Sequence, residues 1–410
     1  MFPPVAQEPL ASTAGTERCP LSDPVIVSAV RTAVGTAGKG SFANTSGEQL
    51  ATAILQEAVR RSGLDPVGLD DVIFAESLYG GGDLARYAAV ATGMTSVAGQ
   101  AINRHCAGSL TAIGNAAAGV KSGMERAVVA GGVQASSASP RLQSRVLGTA
   151  EEYVGWYPPT HPDSPDAPNR DMSITVGWNT AKAAGISREE MDHWAWRSHM
   201  RAVAAIDAGK FVEEILPMKV PAADGSLVEF AVDEHPRRGS TLEKLASLKV
   251  LHPEIPGFSI TAGNASGIND AAAAVVVTDA QFAAAEGLTP MATVHAWAAA
   301  GVEPALTGFG ALRAIDRVLD RADRSFADIA LWEINEAFAS VPIAACKDFG
   351  LDEELVNFSG SGCSIGHPVA ASGARMITTL IHELRRRGGG LGVAAMCAGG
   401  GQAGAVLIEV

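Results

Sequence analysis

Asp71-Val-Ile-Phe-Ala-Glu76 and Asp328-Ile-Ala-Leu-Trp-Glu333 stand far apart in the chain and read alike. Each is a short apolar run opened by aspartate and closed by glutamate, and each follows a polar connection. Such a run, bounded by polar residues, fits a buried strand. The likeness continues outward. A helix over 107–121 leads to the strand Arg126-Ala-Val-Val-Ala130, which Gly131-Gly132 is expected to close. A helix from Ser372 to Arg387 leads to a strand that ends before Gly399-Gly400. Repeated strand–helix units imply two like domains related by a pseudo-twofold, although any two α/β halves share some of this rhythm.

Ordered structure is expected to begin at the strand Val25-Ile-Val-Ser-Ala29. A helix follows over Gly47–Ser62 with Gly63 as its stop. The helix over 107–121 carries almost no charge, as a helix surrounded by protein does. From 138 to 262 prolines and charges become denser, which reads as an insertion. It ends at Thr261-Ala-Gly-Asn-Ala-Ser-Gly-Ile-Asn-Asp270 and is followed by the strand Ala273–Val277. The expected division is a flexible tail over 1–23, a first domain over 24–137 and 263–288, an inserted domain over 138–262, and a second domain over 289–410.

Composition narrows the class. The 410 residues are 47% hydrophobic and 18% charged, rich in Gly and Ala, as in a closely packed α/β enzyme. Thirty-one basic against forty-four acidic residues give a net charge of −13 without any basic run, which argues against a nucleic-acid partner. The five cysteines, at 19, 106, 346, 363 and 397, form no CxxC pair. A disulfide framework or zinc site is not expected, and the cytoplasm is the natural compartment. No run is apolar enough to span a membrane.

Four segments carry chemistry. Cys106, in Asn103-Arg-His-Cys-Ala-Gly-Ser109, sits where the buried helix starts; N–H groups and helix dipole there would favour a thiolate and lower the thiol pKa. Alone, it is equally a buried structural thiol. Asn335, in Trp332-Glu-Ile-Asn-Glu-Ala-Phe338, follows a strand end and is either an uncharged donor to a site or a turn residue. His367 lies in Ser359-Gly-Ser-Gly-Cys-Ser-Ile-Gly-His-Pro368, where Pro368 restricts it to extended backbone. Cys397 meets the glycine turn Gly399-Gly-Gly401, whose N–H groups can form an oxyanion hole. Nucleophile, second thiol, imidazole and oxyanion donors together suit acyl transfer coupled to carbon-acid chemistry.

With these segments in this order, the chain from Val25 to Val410 resembles the thiolases, the acetyl-CoA acetyltransferases and 3-ketoacyl-CoA thiolases. The motif Ser28-Ala-Val-Arg-Thr-Ala-Val-Gly35 adds to the likeness. The resemblance implies a thiolase-like five-layered α/β/α/β/α fold of two duplicated domains plus a loop domain holding coenzyme A. It implies an acyl intermediate on Cys106, activation by His367, and one oxyanion hole from His367 with a water on Asn335. A second hole would use the N–H groups of Cys106 and Gly399, and Cys397 would move the α-proton. For coenzyme A it points to Ala262, Ser266 and Phe338 near the pantetheine and Arg237 near the nucleotide; Arg237 is equally a solvated surface charge. Coenzyme A enters as co-substrate, with no tightly bound cofactor and no metal, and a homodimer or homotetramer is expected. A carrier-dependent ketosynthase and a non-catalytic CoA-binding scaffold are the alternatives; the second thiol and the retained Cys106 and His367 argue against them. The chain departs from the family pattern at His105, Gly108-Ser109, Asp171-Met172-Ser173, Ser361 and Cys363.

Overall fold

The computed structural model describes residues 22–77, 82–157, 159–222 and 225–410. The expected tail therefore lies outside the described residues except for Ser22 and Asp23, as do Cys19 and Pro158. Nine strands build the main sheet: β1 (Pro24–Thr32), β2 (Asp71–Ala75), β3 (Gln100–Ile102), β4 (Ala127–Ala135), β5 (Asn269–Asp279), β6 (Ala292–Gly301), β7 (Ile329–Ile334), β8 (Leu391–Ala398) and β9 (Gln402–Glu409). Gly35–Thr36 and Ile215–Leu216 pair at its margins. The strand order is β7-β8-β9-β6-β1-β5-β4-β2-β3.

The two halves meet where Val25 and Ile26 of β1 pair with Thr293 and Ala292 of β6. Outward from this seam, β1-β5-β4-β2 and β6-β9-β8-β7 repeat one pattern: two antiparallel steps, then a parallel one. The matching runs Asp71–Glu76 and Asp328–Glu333 thus supply β2 and β7, strands in corresponding places.

Seven helices cover the sheet: α1 (Gly47–Ser62), α2 (Leu84–Ala91), α3 (Gly108–Ser122), α4 (Arg188–Asp207), α5 (Gly310–Ala322), α6 (Ser340–Phe349) and α7 (Ser372–Arg387). α3 and α7 share one apolar cluster with the inner faces of both half-sheets. α1 and α2 cover one outer face, α5 and α6 the other, which gives five layers. Strand alternation sorts side chains between layers: in β8, Val393, Ala395 and Cys397 face outward, and Ala394, Met396 and Ala398 face α3 and α7.

Local signals set most boundaries. Ser46 and Gln49 form a capping box at the start of α1, and Gly63 ends it at φ +74°. Gly131-Gly132, expected to close a strand, lie inside β4 instead. A Cβ on Gly131 would come within 2.1 Å of the Ala273 carbonyl oxygen, and one on Gly132 within 2.0 Å of that of Ala370. The glycines therefore admit close neighbours rather than end the strand. The inserted region is tied to β1 by a buried triad: Arg31 Nε donates to Glu214 at 2.6 Å, and its two terminal nitrogens to Asp233 at 2.8 and 2.9 Å.

Candidate active site

Cys106 stands on a tight turn two residues ahead of α3. His105 N–H donates to the Asn103 side chain at 2.8 Å, and Ser77 Oγ donates to the His105 carbonyl at 2.6 Å. These bonds hold His105 in the left-handed region at φ +46°, which histidine tolerates better than most residues. Ala107 offers α3 no side-chain cap, so the first-turn N–H groups beside Cys106 remain uncapped by any side chain.

Burial pushes Cys106 up to about 11, against the lowering effect of hydrogen bonds from the N–H groups of Gly399 and of Cys106 itself. This direction is opposite to the lowering expected at the helix start: desolvation outweighs the two N–H donors. Both N–H groups converge on the Cys106 sulfur.

His367 is delivered by the loop between β7 and α7. Its N–H donates to Asn269 Oδ1 at 3.0 Å, while Asn269 Nδ2 donates to the Gly35 carbonyl at 3.0 Å. Nδ1 lies 2.7 Å from Ser372 Oγ, whose own hydroxyl donates to the Pro368 carbonyl at 2.9 Å. With that hydroxyl proton committed, Oγ accepts from Nδ1–H and leaves Nε2 unprotonated. Burial, assisted by Arg375, holds the imidazole down at about 3, so it is neutral. Asn335 Nδ2 lies 3.4 and 3.5 Å from the two ring nitrogens, and its buried Oδ1 has no protein partner among the described residues. Cys397 is buried, and both burial and the nearby Cys106 raise its pKa.

Cys106, His367, Cys397 and Gly399 line one cavity of about 340 Å³ together with Ser266 and Phe338. Asn335, buried and within 3.5 Å of the His367 ring nitrogens, is not part of that lining. Ala262 and Arg237 are exposed and outside the lining. A smaller compartment of about 110 Å³ adjoins at Cys106, bounded by His105, Tyr157, Thr160, Asn169 and Arg170. No local pattern marks Tyr157, Thr160 or Arg170, which belong to the proline-rich insertion. Ser372 was visible only as the start of a helix.

Two departures from the family pattern have structural roles. Ser361 Oγ donates to Glu333 at 3.2 Å and accepts from Arg375 at 2.9 Å, joining a buried ion pair beneath the site. Asp171 pairs with His252 at 2.8 Å, joining the covering segment to the loop at 250–255. Glu336 is fully satisfied by Trp194, Asn357, Ser198 and the Cys363 N–H, consistent with a structural carboxylate.

Comparison with known proteins agrees with this architecture. Residues 24–281 match the thiolase N-terminal domain and residues 288–410 the thiolase C-terminal domain. The acetyl-CoA acetyltransferase of Cupriavidus necator is 39% identical over 408 residues, covering 95% of this chain and 100% of that one. The 3-oxoadipyl-CoA/3-oxo-5,6-dehydrosuberyl-CoA thiolase of Escherichia coli is 38% identical, covering 94% and 98%. The crystal structure of the Bacillus anthracis acetyl-CoA acetyltransferase superposes with a TM-score of 0.85 at 37% identity, covering 95% and 99%. The chain belongs to the thiolase family. It is accordingly an enzyme, an acyltransferase.

Proposed function

We propose that the chain catalyses reversible Claisen condensation and thiolytic cleavage of 3-ketoacyl-CoA, by a ping-pong route through acyl-Cys106. The observation that carries this is the shared cavity: two thiols, an imidazole with a free Nε2, and two N–H groups face one volume.

In cleavage, Cys106 gives its proton to His367 Nε2 as its sulfur attacks the 3-keto carbon. The alkoxide takes the N–H groups of Cys106 and Gly399. As the C2–C3 bond breaks, the enolate oxygen of departing acetyl-CoA faces His367 Nε2–H and a water on Asn335, and Cys397 protonates C2. Free coenzyme A then gives its proton to the Cys397 thiolate and attacks acyl-Cys106; the expelled Cys106 thiolate recovers its proton from His367. Proton transfer coupled to attack suits a pair that rests neutral. Each oxyanion donor is worth about 10²–10³ in rate.

Coenzyme A is a co-substrate in this scheme, with Ser266 and Phe338 beside the pantetheine and Ala262 and Arg237 farther out. This reading keeps a first domain over 24–137 and 263–288 and a second over 289–410, with 138–262 as the coenzyme A-holding insertion. A homo-oligomer is supported by the edge strand β3 and by the hairpin Leu142–Arg145/Tyr153–Trp156, which exposes Tyr153, Val154 and Trp156. A cytoplasmic setting is supported by the cysteine pattern; no helix among the described residues is long and apolar enough to cross a membrane.

The relatives are named for different acyl groups, so residues facing Cys106 decide the choice here. The test is purified full-length protein with free coenzyme A and either acetoacetyl-CoA or longer 3-ketoacyl-CoAs, following loss of the ketothioester. Cleavage is expected with at least one chain length; none with any would remove the reading.

A further inference from the structure

Two contacts tie the end of β7 to the segment that carries His367. Glu333 and Asn335, two residues apart, share the face of β7 that looks toward α7. Asn335 meets the His367 ring. Glu333 Oε2 accepts from Arg375 Nη1 at 3.1 Å and from Ser361 Oγ at 3.2 Å, and Arg375 Nη2 donates to Ser361 Oγ at 2.9 Å. Arg375 stands three residues after Ser372, the neighbour of His367 Nδ1, on the same face of α7. Ser361, one of the departures from the family pattern, thus holds the second terminal nitrogen of a buried cation beside the catalytic imidazole.

The charge of Arg375 is incompletely offset. Arg31, by contrast, faces two carboxylates and holds one of them through both terminal nitrogens. Arg375 has one carboxylate, met through one oxygen, and Glu333 Oε1 and Arg375 Nε have no hydrogen-bond partner among the described residues. That carboxyl is also hard to ionise: burial pushes Glu333 up to about 7, against the pull of Arg375 and with the push of Glu336. Around the imidazole stand Cys106 before α3, Cys397 on β8, Glu333 on β7 and Arg375 on α7, with Tyr157 and Arg170 in the same cavity lining and the uncharged Asn269 on β5. After burial, Arg375 is the group that holds His367 down.

A cation beside an imidazole works in two directions. It opposes the imidazolium, and so weakens Nε2 as a base toward the Cys106 thiol. Once Nε2 carries that proton, the same charge makes Nε2–H a stronger donor to a developing oxyanion. Resting on the thiolase reading above, we propose that Arg375, held by Glu333 and Ser361, is a positioning residue that acts through His367, slowing acylation of Cys106 and speeding formation of the acetyl-CoA enolate. No bond is added to the scheme. The proton still passes from Cys106 to Nε2, and Nε2–H still faces the enolate oxygen.

Two rates separate this role from packing. Acylation is read with S-(4-nitrophenyl) thioacetate, whose leaving thiolate needs no proton, and enolate formation by exchange of the acetyl-CoA α-protons with deuterium oxide. Both are expressed per site that acylates, so unfolded protein does not count. Arg375→Gln is expected to speed acylation about threefold, as a base about tenfold stronger does under Brønsted behaviour. It should slow exchange about tenfold, less than the loss of a whole oxyanion donor. Arg375→Lys, which keeps the charge, should restore the wild-type balance between the two rates. Glu333→Gln combined with Arg375→Gln leaves no charge stranded and should repeat the opposed changes where the single variant folds poorly. Rates that fall together, or that both stay unchanged, overturn the proposal, as does Arg375→Lys behaving like Arg375→Gln. A wild-type protein that cleaves no ketothioester overturns instead the thiolase reading beneath it.

Discussion

His367 Nδ1 lies 2.7 Å from Ser372 Oγ, five residues on at the first position of α7. Since the Ser372 hydroxyl is committed to the Pro368 carbonyl, this bond fixes the tautomer that keeps Nε2 free to accept a proton. On the proposed mechanism Ser372 is a positioning residue, one that acts on the chemistry through the imidazole.

Ser372→Ala is expected to slow acylation of Cys106 about fivefold to tenfold, the worth of one buried hydrogen bond. It should also change the pH profile of acylation, because the other tautomer becomes available. Ser372→Thr should restore both. A loss of thermal stability with an unchanged pH profile would mean that Ser372 only packs.

Cys106, held up near 11, and His367, held down near 3, rest as neutral thiol and neutral imidazole over the whole range between. Only the thiolate reacts with iodoacetamide. Alkylation of Cys106 in the unliganded protein should therefore rise about tenfold per pH unit from neutrality and level off only near 11. Mass spectrometry with Cys106→Ala as blank reads this directly. A plateau from about pH 5 to 9 would reveal a thiolate–imidazolium pair instead.

On the proposed mechanism Cys397 moves the proton at C2 and the proton of coenzyme A. Cys397→Ala should still form acyl-Cys106 from an activated thioester whose leaving thiolate needs no proton, seen as an acyl adduct by intact mass. It should fail to exchange the α-protons of acetyl-CoA with deuterium oxide. Cys106→Ala should form no adduct. Exchange that survives in Cys397→Ala would move the proton-transfer role to another group.

Arg31 is a matter of stability rather than chemistry. Burial works against its charge, and Asp233 and Glu214 outweigh that effect, keeping it protonated. Arg31→Ala would strand two buried carboxylates, at a cost of about 3–5 kcal/mol. Denaturant unfolding should show that loss. Replacing all three residues with apolar ones of similar volume should recover much of it.

Much of the fold was legible in the chain because it is written in local pattern. The helix stop at Gly63, the apolar run ahead of Lys121 and the twin runs at Asp71 and Asp328 fix elements from near neighbours alone. Gly131-Gly132 misled for the same reason. Their role is close contact with Ala273 and Ala370, residues far away in sequence. The inserted region was the least legible, since Tyr157 and Arg170 sit among prolines and charges with no period to read.

The sequence by itself showed the twin runs at Asp71 and Asp328, several strands and helices, and Cys106, Asn335, His367 and Cys397 as the candidate site residues. Periodicity, caps and turn residues act over a few residues, and the chemical types are unmistakable. Only the tertiary structure decided that burial raises the Cys106 pKa, that Ser372 Oγ sits 2.7 Å from His367 Nδ1, and that Tyr157 and Arg170 border Cys106. Desolvation and donor placement depend on what distant segments bring to one point, and no local stretch of chain carries that information.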